Sequence, residues 1–72
     1  MATFIERLKT LRIENQVTQK QMGETLGVTD KYYQKIEYGT VGVSQERLIM
    51  LADFFDVSTD YLLGRTDDPK RY

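Results

Sequence analysis

Cysteine and histidine are both missing from these 72 residues. Without cysteine, neither a disulfide nor a thiolate metal site can brace the chain. Without histidine, the commonest metal ligand and the usual general base are gone as well. No apolar run approaches the roughly 20 residues that a membrane span needs. The N-terminus lacks the apolar region of a signal peptide, so the expected location is the cytoplasm. Proline occurs once and glycine five times; the chain is not low-complexity, and it shows no internal repeat. What remains is one small domain, long enough to bury a single core. Acids are present, but no pair stands at a spacing that suggests a shared catalytic site. An enzyme is therefore not expected, and neither is a cofactor or a metal.

The net charge of −1 says little about a polyanionic partner, but its distribution says more. Residues 1–40 carry six Lys/Arg and five acids, net +1; residues 41–72 carry four Lys/Arg and six acids, net −2. The later acids Asp53, Asp56, Asp60, Asp67 and Asp68 are expected to lie away from any anion-binding face built by the first half.

Helical spacing starts early. Phe4, Leu8 and Leu11 fall at i, i+4 and i+7, with Ile5 beside them, and predict a helix over 3–14 that Asn15 and Gln16 end. Thr18 reads as an N-cap and Gln21, three residues on, completes a capping box. A second helix over about 19–26 turns Met22 and Leu26 inward. Gly23 between them lets another helix come close, since glycine inside a helix otherwise costs about 1 kcal/mol against alanine. Gly27 stands where a helix end needs a left-handed residue. Val28 returns to the core, Thr29 caps the next helix, and Asp30 suits its positive end. That helix runs over about 30–38 and stops at Gly39. Its inward residue is Ile36; Asp30, Lys31, Tyr32 and Lys35 are left facing outward. After an aperiodic loop, Ser44 caps a fourth helix with the stripe Leu48, Leu51, Ala52, Phe55. Val57 leads to a further cap at Ser58 and a short helix to Leu63, ended by Gly64. Of Tyr61, Leu62 and Leu63, one or two should close the core and the rest can form a dimer contact. The tail 65–72 is polar and reads as a frayed end or linker. The fold class is all-α, five short helices in one compact domain over 1–64, with the helix-turn-helix at about 19–38.

The segments F-x-x-R-L-K-x-L-R (4–12), V-T-Q-x-x-M-G-x-x-L-G-V-T (17–29), I-E-x-G (36–39) and L-x-x-L-A-x-x-F-D-V-S-T-D-Y-L-L-G-R (48–65) together cover nearly the whole chain. In this arrangement the chain resembles the lambda-repressor-like helix-turn-helix family of phage and bacterial transcription regulators, also called the Cro or XRE type. The resemblance implies a lambda-repressor-like fold and a cytoplasmic, sequence-specific regulator of double-stranded DNA, most simply a phage- or mobile-element-type repressor. Such a protein would bind a palindromic operator as a homodimer and block polymerase. It also implies that helix 29–38 lies in the major groove. Asp30, Lys31, Tyr32 and Lys35 match base-contacting positions, and Thr18, Gln19, Gln34, Tyr38 and Thr40 would contact the backbone. Arg12 and Glu37 match a pair that fixes the recognition helix against helix one.

Three features depart from the family pattern, one of them Asp30, an unusual residue on a surface facing phosphates. Tyr33 stands where relatives carry an aliphatic core residue, and its hydroxyl needs a partner if buried. The loop Thr40-Val41-Gly42-Val43 carries no charge where relatives are often basic.

Lys31 and Lys35, four apart, share a face and can donate to guanine O6 or N7. Tyr32 can meet a thymine methyl or a phosphate. Asp30 can accept from cytosine N4, repel wrong sequences or only cap its helix. The plainer reading of these four is a solvated helix surface. For Thr18 it is a cap alone, and for Gln19 an exposed helix start. The competing function is a protein-interaction module, such as an antirepressor or antitoxin that keeps the fold; the pI near 5.3 and the uncharged loop favour it. Salt separates the two, because DNA binding weakens steeply as salt rises.

Overall fold

A computed structural model describes residues 2–71; Met1 and Tyr72, the last residue of the predicted tail, lie outside the described residues. Five helices follow in order: α1 Phe4–Glu14, α2 Gln19–Leu26, α3 Asp30–Tyr38, α4 Gln45–Phe55 and α5 Thr59–Leu62. There is no strand among the described residues.

The boundaries have local causes. Thr3, Thr18, Thr29, Ser44 and Ser58 all sit in extended backbone and accept a hydrogen bond from the N–H three residues on. Thr3–Glu6 and Thr18–Gln21 are complete capping boxes. Gly27 and Gly39 close α2 and α3 with φ of 73° and 78°, the left-handed backbone that glycine adopts without a Cβ penalty. Asp56 makes the same turn at the end of α4 with φ 55°. Aspartate tolerates this region better than most residues.

The core is Leu8, Met22, Leu26, Tyr33, Ile36, Leu51, Ala52, Val57 and Leu62, with Phe4, Leu11, Val28, Leu48 and Phe55 packed around it. Every helix contributes, and α3 packs mainly on α2 and also on α1. The last helix ends at Leu62, one residue short of Leu63; Leu62 is fully buried, Tyr61 half-buried and Leu63 exposed.

Two expectations are corrected. Gly23 makes room for the turn between α2 and α3 rather than for another helix: a Cβ there would lie 2.8 Å from the Val28 carbonyl oxygen and 3.1 Å from Thr29 backbone atoms. Nor is the tail a frayed end. Arg7 Nη1 donates to the Thr66 carbonyl at 2.9 Å and to the Tyr61 carbonyl at 3.2 Å, and its guanidinium covers the Tyr61 ring at 3.9 Å. Ser58 N–H donates to the Pro69 carbonyl, and Arg71 pairs with Asp53 and Asp56. Four of the five later acids thus meet arginines, since Asp67 also pairs with Arg7 and Asp60 with Arg65.

Candidate nucleic-acid interface

Burial fixes which side of α3 is free. Tyr33 and Ile36 face inward and are 0% and 1% exposed. Asp30, Lys31, Lys35 and Tyr38 are exposed, and Gln34 is half-exposed. Tyr32, expected outward, is half-buried and packs on the edge of the core. Asp30 already has a helix-end task, since its Oδ1 accepts from the Lys31 N–H at 2.9 Å. That contact is what the capping reading expects, and it does not involve the second carboxylate oxygen.

The rigidity of this face comes from an ion pair below it. Arg12 Nε donates to Glu37 Oε2 at 2.6 Å and Arg12 Nη2 donates to Oε1 at 3.1 Å, a two-pronged contact between α1 and the end of α3. Arg12 Nη1 also donates to the Val17 carbonyl at 3.1 Å, and Gln19 Nε2 donates to Glu37 Oε1 at 3.3 Å. Three helices, α1, α2 and α3, therefore meet at one carboxylate, and Arg12 also ties in the segment before α2. Burial works to raise the Glu37 pKa, but the Arg12 hydrogen bond and charge outweigh it and hold the carboxyl below its ordinary 4.5.

Thr18, Gln19, Gln34 and Tyr38 line one groove with Lys9, Arg12 and Gln16, above the Arg12–Glu37 pair. Four of the five candidate backbone contacts thus share a surface; Thr40 lies outside it. Thr18 is engaged as a cap. Gln19 uses its amide nitrogen on Glu37, and its backbone N–H lies at the start of α2.

Tyr33 carries the one buried side-chain polar atom without a hydrogen-bond partner among the described residues, its hydroxyl oxygen. Burial, and then the neighbouring Glu37 carboxylate, push that hydroxyl far above the ordinary phenol range. The hydroxyl lies beside the Glu37 carboxylate and helps to lower its pKa, but the contact lacks full hydrogen-bond geometry. Tyr33→Phe trades that weak contact for relief of a desolvated group and should stabilise the domain by no more than about 1 kcal/mol. Denaturant unfolding checks this; a loss of stability would mean that the hydroxyl finds a partner in solution.

Arg47 was not among the sequence candidates. It sits in the first turn of α4, and its guanidinium lies 5.7 Å from the centre of the Tyr32 ring. No motif or period marks it, because the contact crosses from one helix to the next.

Residues 8–62, well over half of the chain, match the helix-turn-helix family. The chain belongs to the Cro/XRE-type helix-turn-helix family. Among curated relatives, an uncharacterized HTH-type transcriptional regulator, YobD of Bacillus subtilis, is 36% identical over 92% of this chain and 59% of its own length. The cryptic phage CTXphi transcriptional repressor RstR of Vibrio cholerae is 37% identical over 83% of this chain and 54% of its own. The chain thus spans less than two thirds of the length of these family members. Among solved structures, the P22 c2 repressor in complex with a synthetic operator superposes with a TM-score of 0.77 at 25% identity, covering 88% of this chain and 96% of the repressor chain. The lambda-repressor-like fold is therefore established for this family member, with five helices in the same arrangement. No helix among the described residues is long and apolar enough to cross a membrane.

Proposed function

We propose that this chain is the DNA-binding part of a transcriptional regulator, a repressor of phage or mobile-element type that occupies a palindromic operator as a homodimer. The observation that carries this reading is α3 itself, anchored by Tyr33, Ile36 and the Arg12–Glu37 pair while Lys31 and Lys35 stand free on its outer face. Such a helix fits the major groove, with side chains of its outer face at base edges. The groove that holds Gln19, Gln34 and Tyr38 would then lie along the phosphate backbone. A relative that is a phage repressor and a neighbour bound to an operator support the same reading. Exposed Leu63 and the α4 residues Ile49, Met50 and Phe54 offer apolar surface for a dimer contact.

Selection of bound duplexes from a random DNA pool tests the proposal. A recovered site with two inverted half-sites about one helical turn apart is the expected result. Absence of any enriched sequence, or binding that salt leaves untouched, would sink it. Lys31→Ala and Lys35→Ala should each weaken binding to the selected site by about 1–2 kcal/mol and relax base preference within the half-site. Titrations against the selected site and single-base variants of it read both effects.

A further inference from the structure

The chain has five arginines. Four of them are neutralised by a carboxylate: Arg7 by Asp67, Arg12 by Glu37, Arg65 by Asp60, and Arg71 by Asp53 and Asp56. Arg47 makes no ion pair among the described residues. It is half-buried and rests instead over Tyr32, on the helix with the free lysines. An aromatic face attracts a guanidinium through its π system and leaves the in-plane N–H donors unused. Those donors form the planar fork that matches a phosphate. The loop Thr40-Val41-Gly42-Val43, which joins α3 to α4, carries no charge.

We propose that Arg47 is a DNA-backbone clamp, seated by the Tyr32 ring and supplying a charge that the loop between α3 and α4 lacks. The inference rests on the DNA-binding reading above and deepens it by naming the ligand atom class, a backbone phosphate oxygen. A phosphate is favoured over a base edge because Arg47 belongs to α4, one element removed from the helix assigned to the groove floor. Tyr32 then has two roles: its inner edge packs on the core and its ring holds the guanidinium.

The test compares the wild-type chain with Arg47→Gln and Arg47→Lys on two duplexes, the one selected by the wild type and a random one, across a salt series. Arg47→Gln should weaken both duplexes by a similar factor, about 5- to 10-fold near 0.15 M salt, and lower the slope of log affinity against log salt by about one. Arg47→Lys should restore the slope but not all of the affinity, because a point charge lacks the fork. Arg47 and Tyr32 are both half-buried rather than core and lie 5.7 Å apart, so melting should shift by no more than about 5 °C in either variant. An unchanged salt slope in Arg47→Gln overturns the clamp. So does a loss confined to the selected duplex, which would make Arg47 a base reader. If the wild type binds neither duplex in a salt-dependent way, the DNA reading fails and the clamp with it; a wild type that binds while Arg47→Gln matches it removes the clamp alone.

Discussion

Arg12→Ala is expected to destabilise the domain by about 3 kcal/mol, because it leaves the Glu37 carboxylate buried without its counter-charge. The Glu37 side chain is only 5% exposed and that of Arg12 14%, so water cannot step in freely. The pair lies just beneath the surface rather than in the centre of the core, which sets the expectation at the low end of the range for broken buried pairs. For a domain of this size the loss should lower the melting temperature by more than about 10 °C. A second variant separates the stranded charge from the lost contact. Arg12→Met combined with Glu37→Leu removes both charges and keeps apolar bulk, and should lose less stability than Arg12→Ala alone. A double variant as unstable as the single one would mean that the pair's attraction, not the orphaned carboxylate, dominates. Acid provides an independent reading. The folded Glu37 carboxyl titrates below its ordinary 4.5, so the pair's contribution is present in full above that value and is lost as pH falls through the lower folded pKa. The stability gap between wild type and Arg12→Ala should therefore narrow in acid.

That pair was legible in the sequence only through the family pattern; nothing in its spacing of 25 residues announces a contact. Local features were legible without help. The boundaries of α2 and α3 follow from Thr18, Gln21, Gly27, Thr29 and Gly39, because caps act within one helical turn. The inward stripes of α1 and α4 follow from the 3.6-residue period. Long-range polar contacts were not legible. Arg7 reaches carbonyls 54 and 59 residues away, and a polar tail carries no period that could reveal such docking. The contact between Arg47 and Tyr32 was hidden for the same reason. Tyr33 was visible as a misfit, and the structure shows why it is one: the ring is buried where an aliphatic residue would serve, and the hydroxyl meets no partner of hydrogen-bond geometry among the described residues.

Gly23 sets two physical effects against each other, and their sizes decide the outcome. Helix propensity alone says that Gly23→Ala should stabilise α2 by about 1 kcal/mol. Sterics say the opposite, since the new Cβ would lie 2.8 Å from the Val28 carbonyl oxygen. The obstacle is backbone, which cannot swing aside like the end of a side chain. It is also tied in place, because Val28 N–H donates to the Gly23 carbonyl at 2.8 Å. Overpacking of this kind costs about 1–3 kcal/mol, so Gly23→Ala should be net destabilising and Gly23→Val should lose about 3 kcal/mol. Thermal unfolding of the two variants checks the order, and a Gly23→Ala chain that melts at or above the wild type would show that the turn stands off from α2. The effect should reach function as well. Val28 and Thr29 lead directly into α3, so relieving the clash moves the helix start that carries Asp30 and Lys31. At temperatures where Gly23→Ala is still folded, its affinity for the selected duplex should fall by more than the unfolded fraction explains. Affinity that merely tracks the folded fraction would mean that the turn absorbs the strain without moving α3.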